Sequence, residues 1–317
     1  MKALITGITG FAGSFLAENL VNQGKFEVSG TYFSENSLSN VELVKDHLKL
    51  HQLDLQDFEA VKKLISEEKP DVIFHLAALA AAGESFANPS KFINNNVDSQ
   101  VNLFESIKAA SIKPKVLVVS SAEVYGDVDT SDLPIDEQTP IRPVNPYGVS
   151  KVACDFMGLQ YFLSDNIPVI RVRPFNHIGP RQTPSFVVAR FAKAIADIEK
   201  GHEEPILKVG NLEAKRDFTD VRDMVQAYVD LMEKGEVGEV YNAGTGKSFK
   251  IEEILSKLLA LSSKEIIVEK DQSLFRPIDT PDLVCDNSKI KSTTGWEPKI
   301  NIEETLSQTL DYFRKSE

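Results

Sequence analysis

The sequence predicts an α/β fold, a doubly wound parallel sheet joined to a smaller α/β lobe, and three observations predict it. Short apolar runs alternate with amphipathic stretches through the first half of the chain. Glycines recur every third residue directly after the first apolar run. Beyond Pro174 the alternation loosens, and loops carrying Pro180, Pro184 and Pro205 separate shorter elements.

Taken in order, the strand-like runs cover residues 2–7, 26–33, 71–78, 115–121 and 167–174, each apolar enough to be buried on both faces. Between them the spacing predicts helices over 13–24, 57–69, 89–110 and 147–165. In the second of these, Phe58, Val61, Leu64 and Ile65 share one face. Asp57 and Pro146 suit helix starts. The second half reads as a helix at 185–200, a strand at 205–209, a helix at 221–234 and a strand at 239–242. A helix at 250–261, a strand at 266–269 and a last helix at 302–315 follow. Residues 1–174 with 218–245 are expected to form a Rossmann-like NAD(P)-binding domain, and 175–217 with 246–317 a substrate lobe.

Composition narrows the partners. The 317 residues carry a formal charge of -12, which disfavours nucleic acid because a polyanion needs a basic face. Cys154 and Cys285 stand far apart without paired spacing, so neither a metal site nor a disulfide framework is expected. No apolar run approaches the roughly 18 residues that span a bilayer. A cytoplasmic protein without a membrane partner is the expectation.

The cofactor end is the segment Thr6-Gly7-Ile8-Thr9-Gly10-Phe11-Ala12-Gly13, between a strand and a helix. Glycine there permits the tight turn, lets backbone N–H groups approach a pyrophosphate, and allows close helix–strand packing. At the second strand's end, Tyr32 is followed by no acid until Glu35, which favours NADPH and admits NADH. Asp54 and Leu55 lie where an adenine would rest, although Asp54 could equally cap the next helix. Leu76, Ala77 and Ala78 give small side chains where a cofactor passes close.

The candidate catalytic group is Tyr147 with Lys151, four residues apart and so on one helical face. An ammonium beside a phenol lowers its pKa, allowing Tyr147 to exchange a proton with a sugar oxygen. Ser121 ends the strand just upstream, at the sheet edge where open α/β folds bind ligands, and Ala122 and Glu123 follow it.

The glycine turn, the Ser120-Ser121-Ala122-Glu123-Val124-Tyr125-Gly126 strand end and Tyr147-Gly148-Val149-Ser150-Lys151 together resemble the extended short-chain dehydrogenase/reductases. That resemblance implies Ser121 as hydrogen-bond donor to the reacting oxygen, Tyr147 as proton donor or acceptor, and Lys151 as its tuner. Arg173-Pro174-Phe175-Asn176-His177-Ile178-Gly179-Pro180-Arg181 resembles the crossing segment of the nucleotide-sugar branch. It implies Phe175 and His177 at the nicotinamide and Asn176 at a diphosphate, with a buried, hydrogen-bonded role for His177 equally open. Arg181 stands where that segment usually has glycine, and with Ala122 it is expected among the substrate-binding residues.

The run from Val209 to Asp223 is similar to its counterpart in GDP-sugar enzymes. It implies Arg216 and Arg276 as diphosphate ligands, with Val187 and Lys208 beside them in the substrate site. The implied activity is reduction of the 4-keto group of a GDP-linked 6-deoxysugar, as in the GDP-6-deoxy-4-keto-D-mannose reductases, giving GDP-D-rhamnose. The alternatives are a GDP-mannose 4,6-dehydratase, with Glu123 as base, and then a 4-epimerase. Ala122 and Phe218 depart from the dehydratase pattern. A redox-sensing protein that binds the dinucleotide without chemistry is the non-enzyme alternative, and retention of Ser121, Tyr147 and Lys151 speaks against it. The resemblance also implies a homodimer through the helices at 89–110 and 147–165, where Phe156, Met157, Leu159, Tyr161 and Phe162 supply apolar surface.

Overall fold

A computed structural model describes residues 1–275 and 277–316. The apolar runs and amphipathic stretches of the first half become β1 (Lys2–Thr6), α1 (Phe11–Gln23), β2 (Glu27–Tyr32), β3 (Leu48–Gln52), α2 (Phe58–Glu68) and β4 (Val72–His75). There follow the one-turn α3 (Ala82–Ser85), α4 (Pro89–Ala109), β5 (Lys115–Val119), α5 (Pro146–Asp165) and β6 (Val169–Pro174). The second half adds β7 (Asn176–Ile178), α6 (Val187–Glu199), β8 (Ile206–Val209), β9 (Lys215–Asp220), α7 (Val221–Lys234) and β10 (Val240–Ala243). It ends with β11 (Ser248–Lys250), α8 (Ile251–Ala260), β12 (Ile267–Lys270), β13 (Asp282–Leu283), α9 (Ser288–Thr294) and α10 (Ile302–Lys315).

Local chemistry sets the helix starts that matter. The Asp57 carboxylate accepts from Ala60 N at 3.1 Å and caps α2. At α5, Asn145 Oδ1 accepts from Gly148 N at 2.7 Å, and Pro146 takes the first helical position, where its missing N–H costs nothing.

Seven parallel strands form the main sheet in the order β10-β6-β5-β4-β1-β2-β3. The chain runs outward from β1 to β3 and then returns to β4 on the other side of β1. The strand order therefore reverses between β1 and β4, opening a crevice at their carboxyl ends. Leu16 and Leu20 of α1 and Met224, Ala227 and Tyr228 of α7 bury one face of the sheet. Leu64 of α2, Leu103 and Phe104 of α4 and Tyr161 of α5 bury the other. Each such large side chain contributes on the order of 1.5–3 kcal/mol of hydrophobic stabilisation. A separate core, built on Phe191, Ile195, Ile254, Leu258 and Leu310, lies under α6, α8 and α10.

Nothing in the apolar pattern marks β7, β9, β11 or β13. The charged run of β9 is buried in five of its six residues because strands pair with it on both sides. Its charges find partners: the Asp217 carboxylate accepts from the backbone N–H groups of Thr245, Gly246 and Cys285. Periodicity of hydrophobicity cannot reveal a strand whose polar groups are satisfied by its neighbours.

Candidate active site

The crevice holds a cavity of about 360 Å³ that reaches from the glycine turn to the end of β5 and the start of α5. Gly7 turns the chain with φ +71, a conformation that side chains disfavour. A Cβ at Gly13 would stand 2.1 Å from the Gly7 carbonyl oxygen, so only glycine lets α1 begin this close to β1. The cap position, Gly10, offers no side-chain oxygen, and the first turn of α1 contains no acid. Its free N–H groups are thus available to an anion, and the turn fits a dinucleotide pyrophosphate.

Around this turn the side chains are tied down. Thr9 Oγ1 meets Ser37 Oγ at 2.7 Å, while the Thr9 carbonyl accepts from Asn40 Nδ2 at 2.9 Å. Ala77 N donates to Thr6 Oγ1 at 3.2 Å, and the same hydroxyl lies 2.9 Å from Nδ1 of buried His75. Burial pushes the His75 pKa down to about 3, the Lys151 ammonium adding to the effect, so the imidazole is neutral.

At the other end, Ser121, Tyr147 and Lys151 converge on the cavity, as do Ala122 and Glu123. Lys151 Nζ donates to the Val119 carbonyl at 2.8 Å and lies 6.0 Å from the centre of the Tyr147 ring. Ser121 Oγ accepts from Glu123 N at 3.1 Å. Asn145 joins the two halves of the site: its Oδ1 caps α5, and its Nδ2 donates to the Glu123 carboxylate at 2.7 Å. The expected lowering of the Tyr147 pKa by Lys151 is corrected here. Burial raises the phenol's pKa, a hydrogen bond with Ser121 opposing it, and burial lowers that of Lys151. Burial disfavours the charged form of each group, and the ammonium is spent on a strand carbonyl.

Of the other sequence-predicted residues, Gly7, Gly10, Phe11, Ala12, Gly13, Leu76, Ala78, Phe175, Asn176, His177 and Val187 also line the cavity. His177 is half-buried at the cavity wall, with Nδ1 3.3 Å from the Phe175 carbonyl and its ring stacked on Phe11 at 5.7 Å, and desolvation lowers its pKa. Tyr32 closes β2, and Leu55 is buried in the sheet-side core. Asp54 turns its carboxylate to Gln56 N at 2.9 Å, and the helix cap open to it is taken by Asp57.

The basic residues are distributed differently from the expectation. Arg181 pairs with Glu18 at 2.6 Å and Ser14 at 3.2 Å, over the Phe15 ring, and so faces α1 instead of the cavity. Arg216 is buried and held by Asp279 at 2.5 Å and the Thr280 carbonyl at 2.8 Å. Lys208 lines a separate depression with Phe191 and Asp271. Arg276 lies outside the described residues. Sequence reasoning missed Gln182, Phe186 and Tyr228, which line the cavity. Tyr228 reads as an ordinary core position of an amphipathic helix, and nothing in the pattern distinguishes it. Among the described residues no cluster of His, Cys, Asp and Glu could hold a metal ion, and no helix is long and apolar enough to cross a membrane.

A doubly wound sheet with a glycine turn at its switch point and a Ser, Tyr and Lys at its carboxyl rim defines an NAD(P)-dependent oxidoreductase of the extended short-chain dehydrogenase/reductase class. The profile of the GDP-mannose 4,6 dehydratase family matches residues 4–309, and the chain belongs to that family. It is 35% identical over 260 residues to GDP-6-deoxy-D-mannose reductase of Pseudomonas aeruginosa, covering 82% of this chain and 85% of that one. It is 30% identical over 348 residues to GDP-mannose 4,6-dehydratase of Vibrio cholerae, covering 96% and 91%. Among solved structures, RMD from Pseudomonas aeruginosa complexed with NADPH superimposes with a TM-score of 0.85 at 31% identity, over 99% of this chain and 98% of that one. UDP-glucose 4-epimerase of Thermus thermophilus in complex with NAD gives 0.88 at 27% identity, over the whole of both chains.

Proposed function

We propose that the protein reduces the 4-keto group of a GDP-linked 6-deoxysugar with NADPH, NADH being the secondary cofactor, to give GDP-D-rhamnose. The observation that carries this reading is the convergence of Ser121, Tyr147 and Lys151 on the cavity that begins at the glycine turn. When bound, the reduced nicotinamide supplies the hydride. Ser121 then hydrogen-bonds the keto oxygen, and Tyr147 gives its phenolic proton to the alkoxide that forms there. Lys151, held on the Val119 carbonyl, steadies the phenolate left behind. Phe11, Ala12, His177 and Phe175 line the cofactor's path, while Ala122, Asn176 and Val187 face the sugar nucleotide. The name of the Pseudomonas aeruginosa relative supports the substrate class. Tyr32, without a carboxylate, suits the adenine ribose 2′-phosphate of NADPH.

Residues 1–174 with 218–245 serve the cofactor and 175–217 with 246–317 the sugar nucleotide, in a cytoplasmic homodimer. Exposed Val149, Phe156 and Leu163, at seven-residue intervals on α5, support the dimer.

Glu123 favours a second reading, GDP-mannose 4,6-dehydration, because its carboxylate lines the cavity and is oriented by Asn145. Against it, Ala122 has no proton to give a departing hydroxyl. Incubation with GDP-4-keto-6-deoxymannose plus NADPH, and separately with GDP-mannose, decides between them. Net NADPH oxidation with the ketone alone is the expected result. Water loss from GDP-mannose without net oxidation would replace the reductase by the dehydratase.

A further inference from the structure

Two cavity-lining side chains keep a buried polar atom without a hydrogen-bond partner among the described residues, Gln182 through Oε1 and Tyr228 through Oη. The Gln182 amide is oriented by other business, since its Nε2 donates to the His177 carbonyl at 2.9 Å. Tyr228 has no such anchor. Its side chain is 0% exposed, and its only polar atom is the one left unsatisfied. A phenylalanine would fill the same space without a hydroxyl to desolvate, so the hydroxyl is a net cost to folding unless something entering the cavity bonds it.

Its position says what that partner is. Tyr228 belongs to α7, which packs on β5, β6 and α1, on the face of the sheet opposite the core that contains Tyr161 of α5. The Tyr228 phenol therefore approaches the cavity from the side opposite Tyr147 and Lys151. Tyr228 lines the same cavity as Ser121, Tyr147 and Lys151, and α7 packs on β5 and β6, whose carboxyl ends lead into Ser121 and Phe175, which places Tyr228 at the reactive end of the cleft. Burial raises its pKa, so the hydroxyl stays protonated and both donates and accepts.

We propose that Tyr228 Oη hydrogen-bonds the nicotinamide end of the dinucleotide, whose carboxamide is the polar group of the ring, and so holds the cofactor from α7 as α5 holds it from the other face. This deepens the reading of the cleft as a nicotinamide site and rests on it. Tyr228 is then a cofactor-binding residue that gives the ring its orientation, and the hydroxyl stranded in the fold is recovered on binding.

Calorimetric titration of wild type and Tyr228→Phe with NADPH, and with 2′-phospho-ADP-ribose, which lacks the nicotinamide, tests the proposal. The melting temperature of each protein without nucleotide is measured alongside. The substitution is expected to weaken NADPH roughly five- to tenfold, the worth of one hydrogen bond, and to leave 2′-phospho-ADP-ribose unchanged. The nucleotide-free melting temperature should hold or rise. Equal NADPH affinity in both proteins would overturn the proposal. So would equal weakening of both ligands with a lower melting temperature, which would assign the hydroxyl to the fold. Wild type that binds neither NADPH nor NADH would remove the cofactor reading itself.

Discussion

Ionisation at single residues in this site is governed by burial more than by charge pairing. His75, against Thr6 Oγ1 beneath the glycine turn, is the clearest case, its pKa pushed down to about 3. Between about pH 6.5 and pH 3 the unfolded chain binds a proton at this position that the folded chain refuses. Stability therefore falls as pH drops through that window and is regained above it. His75→Asn removes the titration, so its melting temperature should decline less between pH 7.5 and pH 5 than that of wild type. Parallel declines would clear His75 of the role. Tyr147 and Lys151 were legible because helical spacing sets them on one face, and Ser121 because it ends a strand at the sheet edge within a motif that resembles the family's. Tyr228 and Gln182 were not, since a tyrosine in an apolar helical stripe is indistinguishable from core until the cavity beside it is known.

Helix α5 does more than carry Tyr147 and Lys151. Asp155 follows at the same four-residue spacing on the buried face, where its carboxylate accepts from Arg171 at 2.9 Å and from Arg173 Nε at 2.8 Å. Arg173 in turn donates to Tyr125 Oη at 3.0 Å, which donates to Asn242 Oδ1 at 2.7 Å. The helix is thereby fastened to β6 and β10 directly below the reactive groups. Asp155→Asn would leave two guanidinium groups buried with one charge fewer between them. A stability loss of about 3–5 kcal/mol is expected, read by chemical denaturation. A loss below about 1 kcal/mol would show that the network does not hold the helix. At this scale the long helices and, apart from the edge strand β3, the strands of the main sheet follow from periodicity. The short strands β7, β9, β11 and β13 do not, because pairing rather than hydrophobicity makes them strands.

For the molecule as a whole, α5 also presents its outer face. Val149, Phe156 and Leu163 are 45%, 49% and 67% exposed, an apolar stripe on a chain whose net charge of -12 otherwise favours solvation. By contrast Tyr161 turns inward to stack on Phe104 at 4.4 Å and bond Glu105 at 2.8 Å. Phe156 with Leu163, rather than Tyr161, is then the apolar surface left for a second copy. Sedimentation of wild type at micromolar concentration should report a dimer, and the double substitution Phe156→Glu with Leu163→Glu a monomer. A monomeric wild type would remove the dimer from the account.

By itself the sequence determined the parallel sheet, the cofactor turn and the facing of Tyr147 and Lys151, because each depends on spacing within one element or across one turn. Tertiary structure alone decided which cations were already spoken for: Arg181 by Glu18 on α1, Arg216 by Asp279 some sixty residues on. It also decided that burial raises the pKa of the Tyr147 phenol. A side chain's type and local spacing are written in the chain. Its partners, and the water it surrenders, depend on what long-range folding packs against it.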